Sequence, residues 1–548
     1  MPIDSEIKKF FKGDVLSDQK TLSLYSHDAS LFYVRPQVVV FPQDVEDIKN
    51  LVSFVVKNKS GNPKLSLTAR AAGTDMSGGP LGESIIVEFN KYFNHIKEVG
   101  PGCAVVEPGV YYRDFEAETL KKGFYLPSFP ASRGTCTLGG MLANNAGGEQ
   151  SLLYGKTKDY VEYLKAVLSD GNEHSFKKIS KSELDKKMAP ADFEGEVYKK
   201  VFKLLNENFD EIQKAKPRVS KNSAGYNIFE VWDGQNFDLT KLFVGSQGTL
   251  GVITEAKLKL VPAVKYSKLL VIFLKDLKLL PQIVDNVLPD RPLSFETYDD
   301  HTFGLAIKFL PEIMKKMGGS IFSLGLKFLP ELWMGFTGGI PKLVLTPEFA
   351  GDDLKDIDNR IEAVYKKLKP LGLKMRITKS PKEADKYRIM RRESFNLLRQ
   401  KIKDKETAPF IDDLIVRPEK LAEFLPKLYE ILGRYPDLIY TIAGHAGDGN
   451  FHIIPLMNLN DPAERQIIPK LADEVFDLVL KHGGSITAEH NDGLIRSPYL
   501  KKMYGEKIYN IFQEIKDIFD PQNIFNPGKK VGADLNYALQ HIKTKINN

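Results

Sequence analysis

From Pro36 the chain reads QVVVFP, an apolar run with proline at each end, and then DVEDIKNLVSFVVKN, whose apolar residues recur at helical spacing. The first pattern predicts a strand and the second a helix, so an α/β unit begins here. Short β-rich runs then alternate with glycine clusters: KLSLTARAAGTDMSGGP, SIIVEFNKY, AVVEPGV and YLKAVLSDG. Asp170-Gly171 at the end of the last predicts a tight turn. This glycine-punctuated pattern closes near KLKLVPAVK, around residue 265, and longer strand and helix segments with fewer glycines follow.

Residues 301–350 interrupt that second half with an apolar stretch. Its longest charge-free runs, Met317–Leu326 and Leu332–Pro341, are each ten residues, about half of what a helix needs to cross a bilayer. The stretch should not span a membrane. It reads either as a pair of helices packed on a core or as a segment in peripheral contact with a membrane surface. No internal repeat or low-complexity tract occurs.

A chain of 548 residues is too long for one small binding module, and 42% hydrophobic with 27% charged residues is ordinary globular composition. A net charge of +6 spread over this length is a weak footprint for nucleic acid. Cys103 and Cys136 are the only cysteines, which excludes a disulfide scaffold, a cysteine zinc finger and a four-cysteine iron–sulfur cluster. The first twenty residues lack the apolar core of a secretory signal. The expectation is a cytoplasmic protein, peripheral on the inner face of a membrane if 301–350 makes contact.

Clustered glycines beside small hydroxylated residues are the sequence form of a pyrophosphate cradle, because backbone N–H groups reach phosphate only where no Cβ blocks them. Two segments fit, Arg70–Gly79 and Gly134–Gly148, the second without an acidic residue. A pair of tight turns is the alternative. No G-x-G-x-x-G and no G-x-x-x-x-G-K-[ST] occurs, which argues against Rossmann NAD binding and P-loop hydrolysis.

A second constellation lies near the C-terminus: His445 and His452 in AGHAGDGNFH, and Glu489-His490 in TAEHNDG. Imidazole and carboxylate suit zinc and similar ions. In one extended segment the spacing of His445 and His452 would put them on opposite faces, but Gly447 and Gly449 permit a turn that brings them together. Hydrogen-bonded structural histidines are the alternative.

Taken in order, QVVVFP, ARAAGTDMSGG, PGV, PASRGTCTLGGMLANNAGGEQSLLYGKTKDYVEYLKAVLSDG, KNSAGYN and LFVGSQGTLGVITEAKLKLVP resemble the FAD-binding domain of the vanillyl-alcohol oxidase/p-cresol methylhydroxylase superfamily. Within it the chain is most similar to the D-lactate and glycolate (D-2-hydroxyacid) dehydrogenase branch. The resemblance implies an α+β flavoenzyme. Residues 1–35 would be an N-terminal segment, 36–265 a two-subdomain FAD-binding domain, and 266–548 a substrate (cap) domain with an antiparallel sheet. It places FAD contacts on Gly73, Thr74, Ser77, Gly78, Pro130, Ser132, Thr137, Gly140, Asn144, Gly147, Gly248, Thr249 and Ile253. Phe519–Lys530 looks like the family's closing motif, with Asn526 and Lys529 near the flavin or capping the cleft. Ala71, Ala72 and Gln247 depart from the family's usual glycines and acid. No histidine lies between His95 and His174, so dissociable FAD is expected.

H-x-G-D-G-N-x-H followed by E-H likewise resembles the C-terminal half of FAD-linked D-2-hydroxyacid dehydrogenases. It implies that His445, His452 and Glu489 hold a divalent ion such as zinc and that His490 is the base, although Asn491-Asp492 alters the turn beside it. KYRIMRRESFNLL resembles the segment carrying a carboxylate-binding arginine, with Arg392 favoured and Arg391 second. Dehydrogenases for larger dicarboxylates add a lysine where this chain has Phe410-Ile411-Asp412-Asp413, which argues against 2-hydroxyglutarate. The implied activity is oxidation of D-lactate or glycolate to the 2-oxo acid, with electrons passed to a quinone, cytochrome or electron-transfer flavoprotein. The alternatives are a flavin-dependent transferase like the alkyl-glycerone-phosphate synthases, whose run of adjacent histidines is missing here, and a non-catalytic FAD-binding subunit at a membrane.

Overall fold

A computed structural model describes residues 2–308, 340–402 and 404–544. The strand and helix expected at the start form as Val38–Phe41 and Val45–Asn58. Asp44 caps the helix by accepting the Asp47 N–H, and Ile48, Leu51, Val52 and Val55 form the face that buries against the strands. Asp14–Leu16, Val38–Phe41, Ile85–Glu88 and Leu67–Arg70 lie side by side in that order, the last three parallel. A five-stranded antiparallel sheet follows, in the order Ile96–Gly100, Cys103–Val106, Val252–Lys259, Val161–Val167, Glu173–Lys177. Gly171, at φ 77°, makes the turn expected between its last two strands.

The two glycine-rich segments follow different elements. The first continues from strand Leu67–Arg70. The second runs into the helix Leu138–Asn144.

The second half is built on an eight-stranded sheet ordered Lys374–Ile377, Tyr266–Leu274, Leu343–Gly351, Ser294–Asp299, Ile439–His445, Asn450–Met457, Glu406–Thr407, with Leu414–Ile415 also paired to Asn450–Met457. All of its pairings are antiparallel. Helices Leu354–Leu368, Leu421–Gly433 and Pro462–Lys481 pack on one face with Leu270 and Ile272; Tyr387 and Met390 of helix Pro381–Lys401 pack on the other with Leu269 and Val271. A sheet covered on both faces takes apolar residues at consecutive strand positions, which is why SKLLVIFL does not alternate.

The segment 301–350 corrects one expectation. Its end, within Leu343–Gly351, is a strand paired on both sides, to Tyr266–Leu274 and Ser294–Asp299, because the β-rich LVLTPEF satisfies its backbone groups in the ladder. Its beginning falls in the helix Asp300–Lys308. Residues 309–339, and with them the membrane-contact reading, lie outside the described residues. Among the described residues no helix is long and apolar enough to cross a membrane.

Candidate active site

A cleft enclosing about 1370 Å³ of non-atom space, part of it open to solvent, runs between the two glycine segments and the 247–253 strand entry. Of the expected FAD contacts, Gly73, Thr74, Pro130, Ser132, Thr137, Gly140, Asn144, Gly147, Gly248 and Ile253 line it. Ser77, Gly78, Thr249 and Asn526 are not on its wall and act behind it. The Ser77 hydroxyl donates to Asp75 Oδ2 and receives the Gln247 amide. Thr249 bonds Tyr226. Asn526 is fully buried and donates to the carbonyls of Gly79 and Gln247, while Lys529 Nζ donates to the Leu81 carbonyl. The closing motif therefore braces the loops that form the wall.

Gly73 (φ 67°) and Gly248 (φ 69°) sit in the left-handed region on that wall, where glycine carries no Cβ penalty. Thr137 Oγ1 is buried with no protein partner, which leaves a hydroxyl free for a ligand in the cleft. Asp75 and Arg70, which sequence reasoning passed over, also line it. Asp75 holds the first loop by accepting from Gly79 N–H and Asn144 Nδ2, and Arg70 donates to the carbonyls of Tyr25 and His27. These residues fit a dinucleotide with its diphosphate against glycine backbone.

Glu489 and His490 also form part of the cleft wall. The hairpin Ile439–His445/Asn450–Met457 brings in the other two histidines. His445 pairs with Asn450 and Ala443 with His452, so the reversal of the chain puts both imidazoles on one face, diagonal to each other. Their ring centroids are 5.3 Å apart. Gly449, at φ 72°, closes the turn, and a Cβ there would lie 1.9 Å from the Val416 carbonyl oxygen.

His445 Nε2 lies 3.5 Å from Glu489 Oε1 and His452 Nε2 lies 3.9 Å from Oε2. The two contacts fall on different oxygens of the carboxylate, and Lys221 shares the one that faces His445. Each imidazole is also braced at Nδ1 by a carboxylate, His445 by Glu296 at 2.5 Å and His452 by Asp412 at 3.1 Å, as ligand histidines usually are. Among the described residues, the group whose ligand atoms all lie within 4.8 Å of one another is Asp413, His452, Glu489 and His490, which includes two of the three expected ligands and leaves out His445. Asp413 Oδ2 is committed elsewhere, however, accepting from Thr487 Oγ1 and from the N–H groups of Glu489 and His490, each at 2.7 Å. It anchors the Glu489-His490 turn. Asn491, at φ 70°, continues that turn and donates to the carbonyls of Asn144 and Gly245.

Two buried lysines complete the polar environment. Lys221 Nζ sits 2.6 Å from Glu489 Oε1 and 2.9 Å from Asp448 Oδ2. Burial works against a charged Glu489, but Lys221 and His445 outweigh it and hold the carboxyl well below the usual range. Lys156 donates to Ser223 Oγ and the Ala488 carbonyl, and burial pushes it down to about 7. Burial would likewise lower His490, but Asp412 and Asp413 override it and raise the ring to about 9; Glu296 does the same for His445, also to about 9.

Of the two arginines, Arg391 enters this environment, its Nη2 2.5 Å from Glu296 Oε2. The side chain of Arg392 lies outside the described residues.

Residues 36–177 match the family described as "FAD binding domain", and residues 264–530 match "FAD linked oxidases, C-terminal domain". The chain belongs to the FAD-linked oxidases. Curated relatives of this family member include D-2-hydroxyglutarate dehydrogenase of Pseudomonas putida, 28% identical over 95% of the chain. The chain spans 50% of that relative's length. Glycolate oxidase subunit GlcD of Bacillus subtilis is 27% identical, covering 93% of the chain and 92% of the relative. D-lactate dehydrogenase of Archaeoglobus fulgidus is 26% identical, covering 90% and 91%. Among solved structures, 4-ethylphenol oxidase from Gulosibacter chungangensis superposes with a TM-score of 0.68 at 18% identity over 96% of each chain. p-Cresol methylhydroxylase superposes with a TM-score of 0.67 at 16% identity, covering 97% of this chain and 96% of that one. The fold is that of the p-cresol methylhydroxylase family.

Proposed function

We propose that this FAD-linked oxidase oxidises a small D-2-hydroxy acid of the D-lactate or glycolate type to the 2-oxo acid. The observation that carries the reading is the position of Glu489 and His490, on the wall of the glycine-lined cleft and within reach of both hairpin histidines. The proposed division places FAD in 36–265 and substrate handling in 266–548. FAD supplies the hydride acceptor when bound. The proposal is that it is held without a covalent bond, because no histidine lies between His95 and His174 in the chain. A divalent ion held by His445, His452 and Glu489, zinc by its ligand set, would lower the pKa of the substrate hydroxyl.

In this reading His490 takes the hydroxyl proton at Nε2, its Nδ1 being turned to Asp412 at 2.7 Å. A ring about to accept a proton must be neutral, and a dication beside Glu489 opposes the charge that Asp412 favours on the bare ring. An arginine of the pair 391–392, Arg392 by the resemblance with Arg391 second, would hold the substrate carboxylate, a planar guanidinium matching it through parallel hydrogen bonds; Arg391 is engaged by Glu296. The segment before strand Leu414–Ile415 offers no lysine for a second carboxylate, and Asp412 and Asp413 there are buried and engaged, which favours a monocarboxylate. Electrons leave to a quinone, a cytochrome or an electron-transfer flavoprotein. Anaerobic titration against a panel of D- and L-2-hydroxy acids, with metal analysis of the same sample, tests the reading. D-Lactate or glycolate should bleach the flavin, and no bleaching by any of the panel overturns it.

A further inference from the structure

We propose that Asp412 is a positioning residue that sets the tautomers of His452 and His490 together, an inference that rests on the functional reading above. Asp412 is fully buried. It stands two residues before Leu414, whose pairing with Phe451 puts it beside His452. Its Oδ1 pairs with His452 Nδ1 at 3.1 Å. Its Oδ2 lies 2.7 Å from His490 Nδ1 as an ion-pair contact off the hydrogen-bond axis. The two rings lie nearly parallel, 24° between planes with centroids 5.0 Å apart, so one carboxylate serves both.

An ionised carboxylate only accepts, so His452 must present N–H at Nδ1 and keep its lone pair at Nε2; for His490 the same carboxylate, 2.7 Å from Nδ1, favours the proton there by charge. For His452 that lone pair is the one facing Glu489; for His490 it is the one that must take the substrate proton. Ligand and base are thus prepared by a single group. The carboxylate is separable from the fold around it. The Asp412 carbonyl, not its side chain, accepts from buried Arg496 at 2.8 Å, and the Glu489-His490 turn hangs on Asp413 instead.

Asp412→Asn isolates the effect. A carboxamide offers one acceptor and one NH₂, so the ring facing the NH₂ must accept at Nδ1 and carry its proton on Nε2. Either His452 then fails as a ligand or His490 fails as a base. The full-length protein loaded with FAD is compared as wild type, D412N and D412E, measuring zinc affinity by chelator competition, and kcat and KM for the hydroxy acid that bleaches the wild type. D412N should keep FAD and KM while zinc affinity or kcat falls roughly 10–100-fold; D412E, with two acceptors, should recover part of the loss. Wild-type zinc affinity and kcat in D412N, or equal losses in D412N and D412E, overturn the role of Asp412 while wild-type bleaching stands. A wild type that neither bleaches nor holds zinc overturns the functional reading and this inference with it.

Discussion

At the scale of single residues, charge is placed where partners outweigh burial. Glu230 shows it away from the site. Burial raises its pKa, but Lys158, 2.5 Å away, reverses that and leaves it at about 2 against an ordinary 4.5. A carboxyl lowered on folding stabilises the native state above its unfolded pKa and loses that contribution as pH falls through the folded one. The stability gap between wild type and Glu230→Gln, read from urea midpoints, should therefore be widest above pH 4.5 and close toward pH 2. His490→Ala is the corresponding test of chemistry. It should retain FAD and lower the rate of flavin bleaching by about 10²–10⁴-fold; an unchanged rate excludes His490 as the base.

Among the elements, the hairpin Ile439–His445/Asn450–Met457 is the one whose geometry makes the site. Its two histidines and Asp448, the partner of Lys221, are legible in AGHAGDGNFH, and so is the need for a turn at its glycines. Glu296 was not legible, because it reaches His445 only as its cross-strand neighbour, from a strand about 150 residues earlier in the chain. Asp412 escaped for the same reason, and a sequence offers no signal for cross-strand register. Gly449→Ala should be strained by its φ of 72° and by the Val416 carbonyl, costing more than about 1 kcal/mol in denaturant unfolding. If the hairpin closes the proposed ion site, zinc affinity should fall in the same variant. Retained affinity would place the ligands elsewhere.

Across the whole molecule, the C-terminal motif ties the cleft together. Lys530 Nζ, fully buried, donates to the carbonyls of Ser223 and Gly225 and to Asp492 Oδ2 at 2.7 Å. Lys530→Met would strand Asp492 as an unpaired buried charge, at a cost of about 3–5 kcal/mol. A loss under 1 kcal/mol in equilibrium unfolding would show that the pair is dispensable.

The sequence by itself determined the strand and helix that open the first α/β unit, the apolar face of that helix and the turn at Asp170-Gly171, because those are local properties of spacing and side-chain shape. It also carried the glycine segments and the histidine motifs, since backbone approach and metal ligation demand particular residue types. Tertiary structure alone decided which carboxylate braces which imidazole, that Arg391 reaches Glu296, that Ser77, Gly78, Thr249 and Asn526 stand behind the cleft wall, and that Leu343–Gly351 joins a sheet. Those outcomes depend on register and packing between stretches far apart in the chain, where contact is set by the fold rather than by neighbouring letters.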